Sequence, residues 1–364
     1  MLCLVIIHLM AQKRCVIGVD LGGTNVRAMA VYEDGSPASP KFDALSRAQE
    51  GIEVVFDALH TVIRQAYSQA ETPVQAIGVA LPGHIDDEKG ICRWAPNFGY
   101  TEKGVYHYWE NVPIRQPLAE HFSIPIHIGN DANLAALGEY MFGKGQNSAH
   151  CLVMLTIGTG IGAGVVMSPY GMQGYAKGTL LLLGGNKGGF ELGHMCIQYG
   201  GLESSAGLYG TIESYCQRDS IVHRAIHKLQ HGRNSLLKDL VENDLSRVSP
   251  RLLTEAANQG DELAIEVWEE VGRYLGVALG NCVNLFAPDV LAVGGQISKA
   301  GHWLLDPAKK EARNVAIPSL FQDTTITLAD LIEDAGILGG AAVALNSLNH
   351  KIHEPSPSVL TSSC

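Results

Sequence analysis

Four short segments carry the residue types from which a catalytic site is built. The first is Asp20-Leu21-Gly22-Gly23-Thr24-Asn25-Val26-Arg27. Two adjacent glycines permit a tight turn whose backbone N–H groups face an anion, Thr24 adds a hydroxyl donor, and Asp20 can hold magnesium through water. An ordinary glycine hairpin is the alternative. The second is Thr156-Ile157-Gly158-Thr159-Gly160-Ile161-Gly162-Ala163-Gly164. Its alternate glycines do not form the dinucleotide fingerprint, since position 163 is alanine and a strand follows, and the chain has no G-x-x-x-x-G-K-[ST] loop. A second hairpin phosphate clamp fits, with a ligand-free hairpin as the alternative. The third, Asn130-Asp131-Ala132-Asn133, sets an acid at a strand-to-helix junction, where it serves as a general base or as a helix N-cap. The fourth is Glu191-Leu192-Gly193-His194, preceded by Gly184-Gly185-Asn186-Lys187-Gly188-Gly189. A carboxylate and an imidazole among glycines suit vicinal hydroxyls, or else a salt bridge or helix cap.

The elements that must position these groups follow from apolar patterning. Cys15 to Asp20 and Val26 to Tyr32 read as strands joined by a glycine turn. Ile52, Val55, Leu59, Val62 and Ile63 recur at helical spacing within 44–69. Ala76 to Leu81 is a buried strand, and 84–116 reads as an irregular, aromatic surface region. Ile124 to Ile128 predicts a strand running into Asn130-Asp131, with a helix from Ala132 to Phe142. Cys151 to Ile157 and Gly162 to Met167 then repeat the opening pattern of strand, glycine turn and strand, which suggests a duplicated α/β architecture. Beyond 210 the pattern is mostly helical, strongest from Leu263 to Leu285. Val290 to Val293 predicts a strand ending at Gly294-Gly295, and Ala335 to Leu345 a helix of small residues.

Composition narrows the partners. The 364 residues are 46% hydrophobic and 17% charged, with a net charge of −11. That balance supports a large core and argues against nucleic acid or an anionic membrane. Glycine, 41 of 364 or about 11%, exceeds the usual share of roughly 7%. The eight cysteines, at 3, 15, 92, 151, 196, 216, 282 and 364, form no C-x-x-C pair. They read as reduced thiols of a cytosolic protein. The apolar start lacks the positive flank of a signal segment, so translation is expected to begin at Met10. The Ser/Pro-rich tail, 351–364, is expected to fray.

The ordered set of motifs resembles the ROK family (repressors, open reading frames and sugar kinases) of the actin-like, hexokinase-type ATPase superfamily. The resemblance spans about 15 to 346. It includes Asp20 to Asn25, Gly78-x-x-x-Pro82-Gly83, Ala95-Pro96-Asn97, Asn130 to Asn133, Gly158 to Gly162, Glu191 to His194, Gly294-Gly295 and Ala335 to Ala341. It implies an α/β, two-lobed actin-like ATPase (ribonuclease H-like) fold with duplicated domains around a central cleft. The smaller lobe would be 10–139 with 335–350, and the larger 140–334. Two lobes closing on a sugar and ATP would exclude water. By the resemblance, Asp131 is the catalytic base. Asn97, Asn130, Glu191, His194 and Glu213 hold the sugar. Asp20, Gly22, Gly23, Thr24, Asn25, Thr159 and Gly160 meet ATP phosphates and Mg2+, and Gly294 and Gly295 lie at the adenosine. The implied activity is ATP-dependent phosphorylation of a hexose, foremost glucose to glucose 6-phosphate, in a cytoplasmic homodimer without nucleic-acid or membrane partners. Fructose, mannose, allose or N-acetylmannosamine as acceptor, polyphosphate as donor, and a non-catalytic sugar sensor are the alternatives. A repressor would carry an N-terminal winged helix, whereas here the kinase pattern begins by Cys15.

Two departures from the family stand out. Its zinc segment, C-x-C-G-x-x-G-C-x-E, aligns with Ser204 to Glu213, placing Ser204, Ala206 and Thr211 where thiolates would stand. A structural zinc site needs four soft or imidazole donors, so no structural zinc and a free His194 are expected. Gly158 to Glu191 is also longer than in the family, with the added stretch near 174–183 forming a longer hairpin or an intersubunit contact. Phe190 replaces a small residue.

Overall fold

The computed structural model describes residues 13–171, 178–204 and 206–350. The Met10 start, the tail 351–364 and residues 174–177 of the added stretch lie outside them. The described residues up to Asp131, with those from Gly336 onward, form one compact unit, and Ala132–Ala335 form the other. Each has its own apolar core.

In the first unit, β1 (Cys15–Leu21) pairs antiparallel with β2 (Asn25–Tyr32), and β2 with β3 (Phe42–Leu45). Helix α1 (Ile52–Ser68) buries Val55, Phe56, Leu59, Val62, Ile63 and Ala66, as its 3.6-residue apolar stripe requires. Strand β4 (Val74–Leu81) runs parallel to β1. The stretch expected to be irregular instead forms a separate three-stranded antiparallel sheet: β5 (His84–Asp86), β6 (Ile91–Glu102) and β7 (Val105–Pro113). Its alternation is hidden because β7 is mostly exposed and the β6–β7 register shifts between Ala95 and Gly99. Buried Phe98 and Trp109 pack at 4.8 Å between ring centroids beneath it. After α2 (Arg115–Ala119), β8 (Ile126–Asn130) joins β4 in parallel, giving the order β3-β2-β1-β4-β8.

The second unit repeats that plan. Helix α3 (Asp131–Phe142) leads to β9 (Cys151–Ile157), β10 (Ile161–Met167) and the short β11 (Leu180–Leu181). Leu180 and Leu181 pair antiparallel with Met167 and Val166, so the described part of the added stretch extends the hairpin. Five helices follow: α4 (Ile212–Cys216), α5 (Arg218–Gln230), α6 (Leu237–Leu240), α7 (Pro250–Asn258) and α8 (Glu262–Phe286). Next come β12 (Val290–Gly294), α9 (His302–Val315), α10 (Pro318–Asp323) and β13 (Thr325–Leu328). The sheet order is β11-β10-β9-β12-β13, with β9 antiparallel to β10 and parallel to β12, as β1 is to β2 and β4. Gly272, Gly276 and Gly280 on α8 allow α9 to approach: Cβ atoms there would lie 2.4–2.6 Å from α9 atoms. Among the described residues no helix is long and apolar enough to cross a membrane.

The division between units falls at Asp131/Ala132, ahead of the boundary expected at 139/140. The cause is α3. Asn133 Nδ2 donates to Ala163 O at 2.7 Å, and Glu139, 0% exposed, accepts N–H groups from the second unit. Its Oε1 takes those of Lys144 and Asp330 at 2.9 Å, and Oε2 that of Leu331 at 3.1 Å. The last helix, α11 (Ala335–His350), returns to the first unit. Side chains at Gly18 and Gly78 would place a Cβ 1.9 Å from Ile337 O and Gly340 O, so α11 lies backbone to backbone on β1 and β4.

Candidate active site

The β1–β2 turn is closed by the Gly22 N–H donating to Asn25 O at 2.9 Å. This leaves Gly23 and Thr24 exposed at the tip, with open space around Gly23. Asp20, at the end of β1, lies against the first turn of α11: a Cβ on Gly336 would stand 2.4 Å from its Oδ1. A carboxylate beside an exposed, N–H-rich tip suits magnesium held through water. Asn130 ends β8 with Nδ2 donating to Gly83 O at 3.1 Å, and Asp131 opens α3. Asn97 lies in the irregular part of β6, exposed, its side chain making no hydrogen bond among the described residues.

The second unit brings three candidate segments into contact. The β9–β10 turn is closed by the Gly158 N–H donating to Gly160 O at 2.9 Å, with Thr159 and Gly160 exposed. Glu213 within α4 and Arg218 at the start of α5 hold it. Glu213, 8% exposed, accepts the Ile161 N–H on Oε2 at 2.9 Å, and the Arg218 N–H donates to Gly158 O at 2.9 Å. The Glu191–His194 segment leans on the same turn, because a Cβ on Gly193 would lie 2.0 Å from Ile161 O. It is also tied to α4, the Ile212 N–H donating to Met195 O at 3.1 Å. Glu191 is exposed, and the His194 Nδ1 atom is buried without a hydrogen-bond partner. Phe190 precedes them at φ 65°, a left-handed conformation costly for an aromatic residue. Its ring packs 6.0 Å from that of Phe286.

The loop between His194 and α4 is fastened by hydrogen bonds. The Ile197 N–H donates to Gly210 O at 2.8 Å, the Gly210 N–H to Leu202 O at 2.7 Å, and the Leu202 N–H to Tyr215 Oη at 2.9 Å. Thr211 caps α4, accepting the Ser214 N–H at 3.3 Å, and Ser204 Oγ accepts that of Leu208 at 3.3 Å. Both hydroxyls are thus engaged locally, Ala206 has no donor atom, and Cys196 is exposed. This donor set does not fit zinc. The thiols of Cys151, Cys216 and Cys282 are each pushed up to about 12 by burial, the Asp289 charge adding to the effect at Cys151. They are weak nucleophiles and weak ligands.

Gly294 and Gly295 have packing reasons of their own. A Cβ at Gly294 would meet Met154 Cε at 2.6 Å. Gly295, at φ 80°, would meet Ile157 O at 2.4 Å. Two packing roles are not marked in the sequence, that of Gly193 within the Glu191–His194 segment as a close-approach glycine and that of Glu139 on α3 as a buried acceptor. Their contacts come from distant segments, and only the glycine spacing offers a hint.

Two five-stranded sheets of matching order, each opening on a hairpin with a glycine-rich turn, define the two-domain actin-like ATPase fold. A profile of the ROK family matches residues 16–347, and the chain belongs to that family. A glucokinase of Thermotoga maritima is 33% identical over 331 residues, 91% of this chain and 97% of that enzyme. The crystal structure of a ROK family glucokinase from Streptomyces griseus, in complex with glucose and AMPPNP, superposes with a TM-score of 0.74 at 28% identity. It covers 91% of this chain and 99% of that one. A ROK hexokinase from Thermus thermophilus gives 0.71 at 27% identity, covering 92% and 99%.

Proposed function

We propose that this ROK-family sugar kinase transfers the γ-phosphoryl group of ATP to a hexose, with glucose as the foremost acceptor and glucose 6-phosphate as the product. The observation that carries the reading is the contact in the second unit between the exposed Thr159–Gly160 turn and the Glu191–His194 segment, with Glu213 touching the turn. It sets N–H donors for phosphate beside a carboxylate and an imidazole for hydroxyls. Identity to glucokinases along nearly the whole chain supports the choice of glucose.

In this reading Asp131 accepts the proton of the sugar hydroxyl as its oxygen attacks the γ-phosphorus, and the bond from phosphorus to the β–γ bridging oxygen breaks to release ADP. Asn130, Asn97, Glu191, His194 and Glu213 orient the sugar. Gly22, Gly23, Thr24, Asn25, Thr159 and Gly160 donate to phosphate oxygens, while Gly294 and Gly295 border the adenosine. Magnesium, held by Asp20 through water, would supply charge neutralisation at the phosphates. No step uses zinc, and His194 acts as an unmetallated imidazole.

A coupled ADP-release assay over a panel of hexoses, with Asp131→Ala as the companion variant, tests this. Glucose should stimulate turnover most, and Asp131→Ala should lower kcat by about 10²–10⁴. Turnover unaffected by any sugar, or full activity in Asp131→Ala, refutes the mechanism.

A further inference from the structure

We infer that the second unit carries an anion site for a diphosphate-bearing small molecule, built where α9 and α10 meet the start of β13. The inference is independent of the kinase reading above. A cavity of about 470 Å³ opens there, a size suited to a small ligand. One wall is cationic: Lys309, Lys310 and Arg313 line it, and no carboxylate does. At spacings of four and three residues from Arg313, the two lysines share its side of α9, an arrangement that costs like-charge repulsion. Among the described residues none of the three cations forms an ion pair. Asp306, one turn earlier, pairs with neither lysine. Glu311 faces α8 instead, its Cβ standing 2.5 Å from where a Cβ on Gly276 would be. The Arg313 guanidinium rests 5.4 Å from the centroid of the Phe321 ring, which steadies its head at the cavity wall.

The facing wall adds neutral donors. Strand β13 is the edge of its sheet. The N–H groups of Thr325 and Ala329 donate to Asp289 O and Val293 O on the β12 side, so that of Ile326 turns to the open edge. The Thr325 hydroxyl has no partner among the described residues, and both residues line the cavity. Cations, a hydroxyl and an edge N–H without a carboxylate suit phosphate oxygens. A single phosphate group carries about two negative charges near neutral pH, so three cations match a diphosphate better. The site lies apart from the proposed adenosine border. Thr325 and Ile326 pair with Val290 and Leu291 at the start of β12, whereas Gly294 ends that strand, roughly 10–13 Å further along it.

Isothermal titration with sodium pyrophosphate and with sodium phosphate, both without magnesium, tests the site. The proteins are the wild type, a Lys309→Gln/Arg313→Gln variant, and a Lys238→Gln/Arg251→Gln control that removes the same charge elsewhere in the second unit. The wild type should bind pyrophosphate at least about tenfold more tightly than phosphate, and salt should weaken it. Lys309→Gln/Arg313→Gln should weaken pyrophosphate at least about tenfold through two lost charge-assisted contacts, while the control stays within about twofold of the wild type. AMPPNP with Mg2+ should bind the wild type and the Lys309→Gln/Arg313→Gln variant alike. In amide NMR spectra of the wild type, the Ile326 N–H should shift as pyrophosphate is added, a readout free of any folding defect in a variant. The site is overturned if millimolar pyrophosphate does not bind, if phosphate binds as tightly, if the Ile326 amide does not move, or if the control loses as much as the variant. Equal weakening of AMPPNP and pyrophosphate in Lys309→Gln/Arg313→Gln would also overturn it, by making these cations part of the nucleotide site.

Discussion

Substituting Gly193 by alanine would add a single methyl group where the structure has no space for it. The Cβ would lie 2.0 Å from Ile161 O, 3.0 Å from Ile161 C and 3.1 Å from Ile161 Cβ, whereas real Cβ atoms essentially never approach within 3.0 Å. At least about 1 Å of displacement follows. Ile161 cannot provide it cheaply, being 4% exposed, paired with Ile157 across β9–β10 and held at its N–H by Glu213. The shift therefore falls on the 191–194 segment and moves Glu191 and His194. Overpacking of this kind costs about 1–3 kcal/mol in stability, and a 1 Å misplacement in a site costs about 10²-fold in rate. Gly193→Ala should thus fold, melt a few degrees lower, and lose about two orders of magnitude in kcat/KM for the hexose in the coupled assay. Gly185→Ala is the control, since its Cβ meets nothing within 4 Å, and it should stay near the wild type. A Gly193→Ala enzyme with kcat/KM within about threefold of the wild type would refute the proposed dependence of sugar positioning on this contact.

Glu139→Ala strands three N–H groups that now share a buried carboxylate. At the lower end of about 1.5–3 kcal/mol per bond to a charged group, the loss by urea unfolding should be about 4–5 kcal/mol. Glu139→Gln, which keeps one acceptor oxygen and turns an amide toward the third N–H, should lose about half as much, and wild-type stability in it would contradict the assigned bonding. At Asp87, burial pushes the carboxyl up, but His127, the Ile128 N–H and Arg115 together outweigh it and hold it below the ordinary value. A depressed folded value contributes stability that is present above the unfolded value near 3.9 and is lost as pH falls through the folded one. Asp87→Asn should be less stable than the wild type at pH 7, with the gap narrowing below about pH 4; a gap independent of pH would count against the ion pairing.

The hairpins β1–β2 and β9–β10 were legible because paired or alternating glycines interrupt β-branched runs at the same place in each repeat, a local signal. The strand-to-helix step at Asn130-Asp131 was legible for the same reason. The β5–β6–β7 sheet was not, since Pro96 and the register shift at Ala95–Gly99 break the period of two and exposed aromatics blur its faces. Absent thiolates at 204, 206 and 211 could be read from identity alone, but the hydrogen bonds that close the loop could not. Glu139 has the appearance of a surface glutamate on a helix. Its donors at 144, 330 and 331 are joined only by the folded chain, and the same holds for Glu213 and Ile161.

The return of α11 to the sheet of the first unit also sets an order for folding on the ribosome. Residues Ala132–Ala335 are contiguous and can assemble as they emerge. The earlier-synthesised strands β1 and β4 receive this cover only from the far end of the chain, where the backbone of Ile337 and Gly340 fits closely against Gly18 and Gly78. Until that helix leaves the exit tunnel, a strip of apolar sheet stays uncovered. The half of the molecule made first is thus the half completed last.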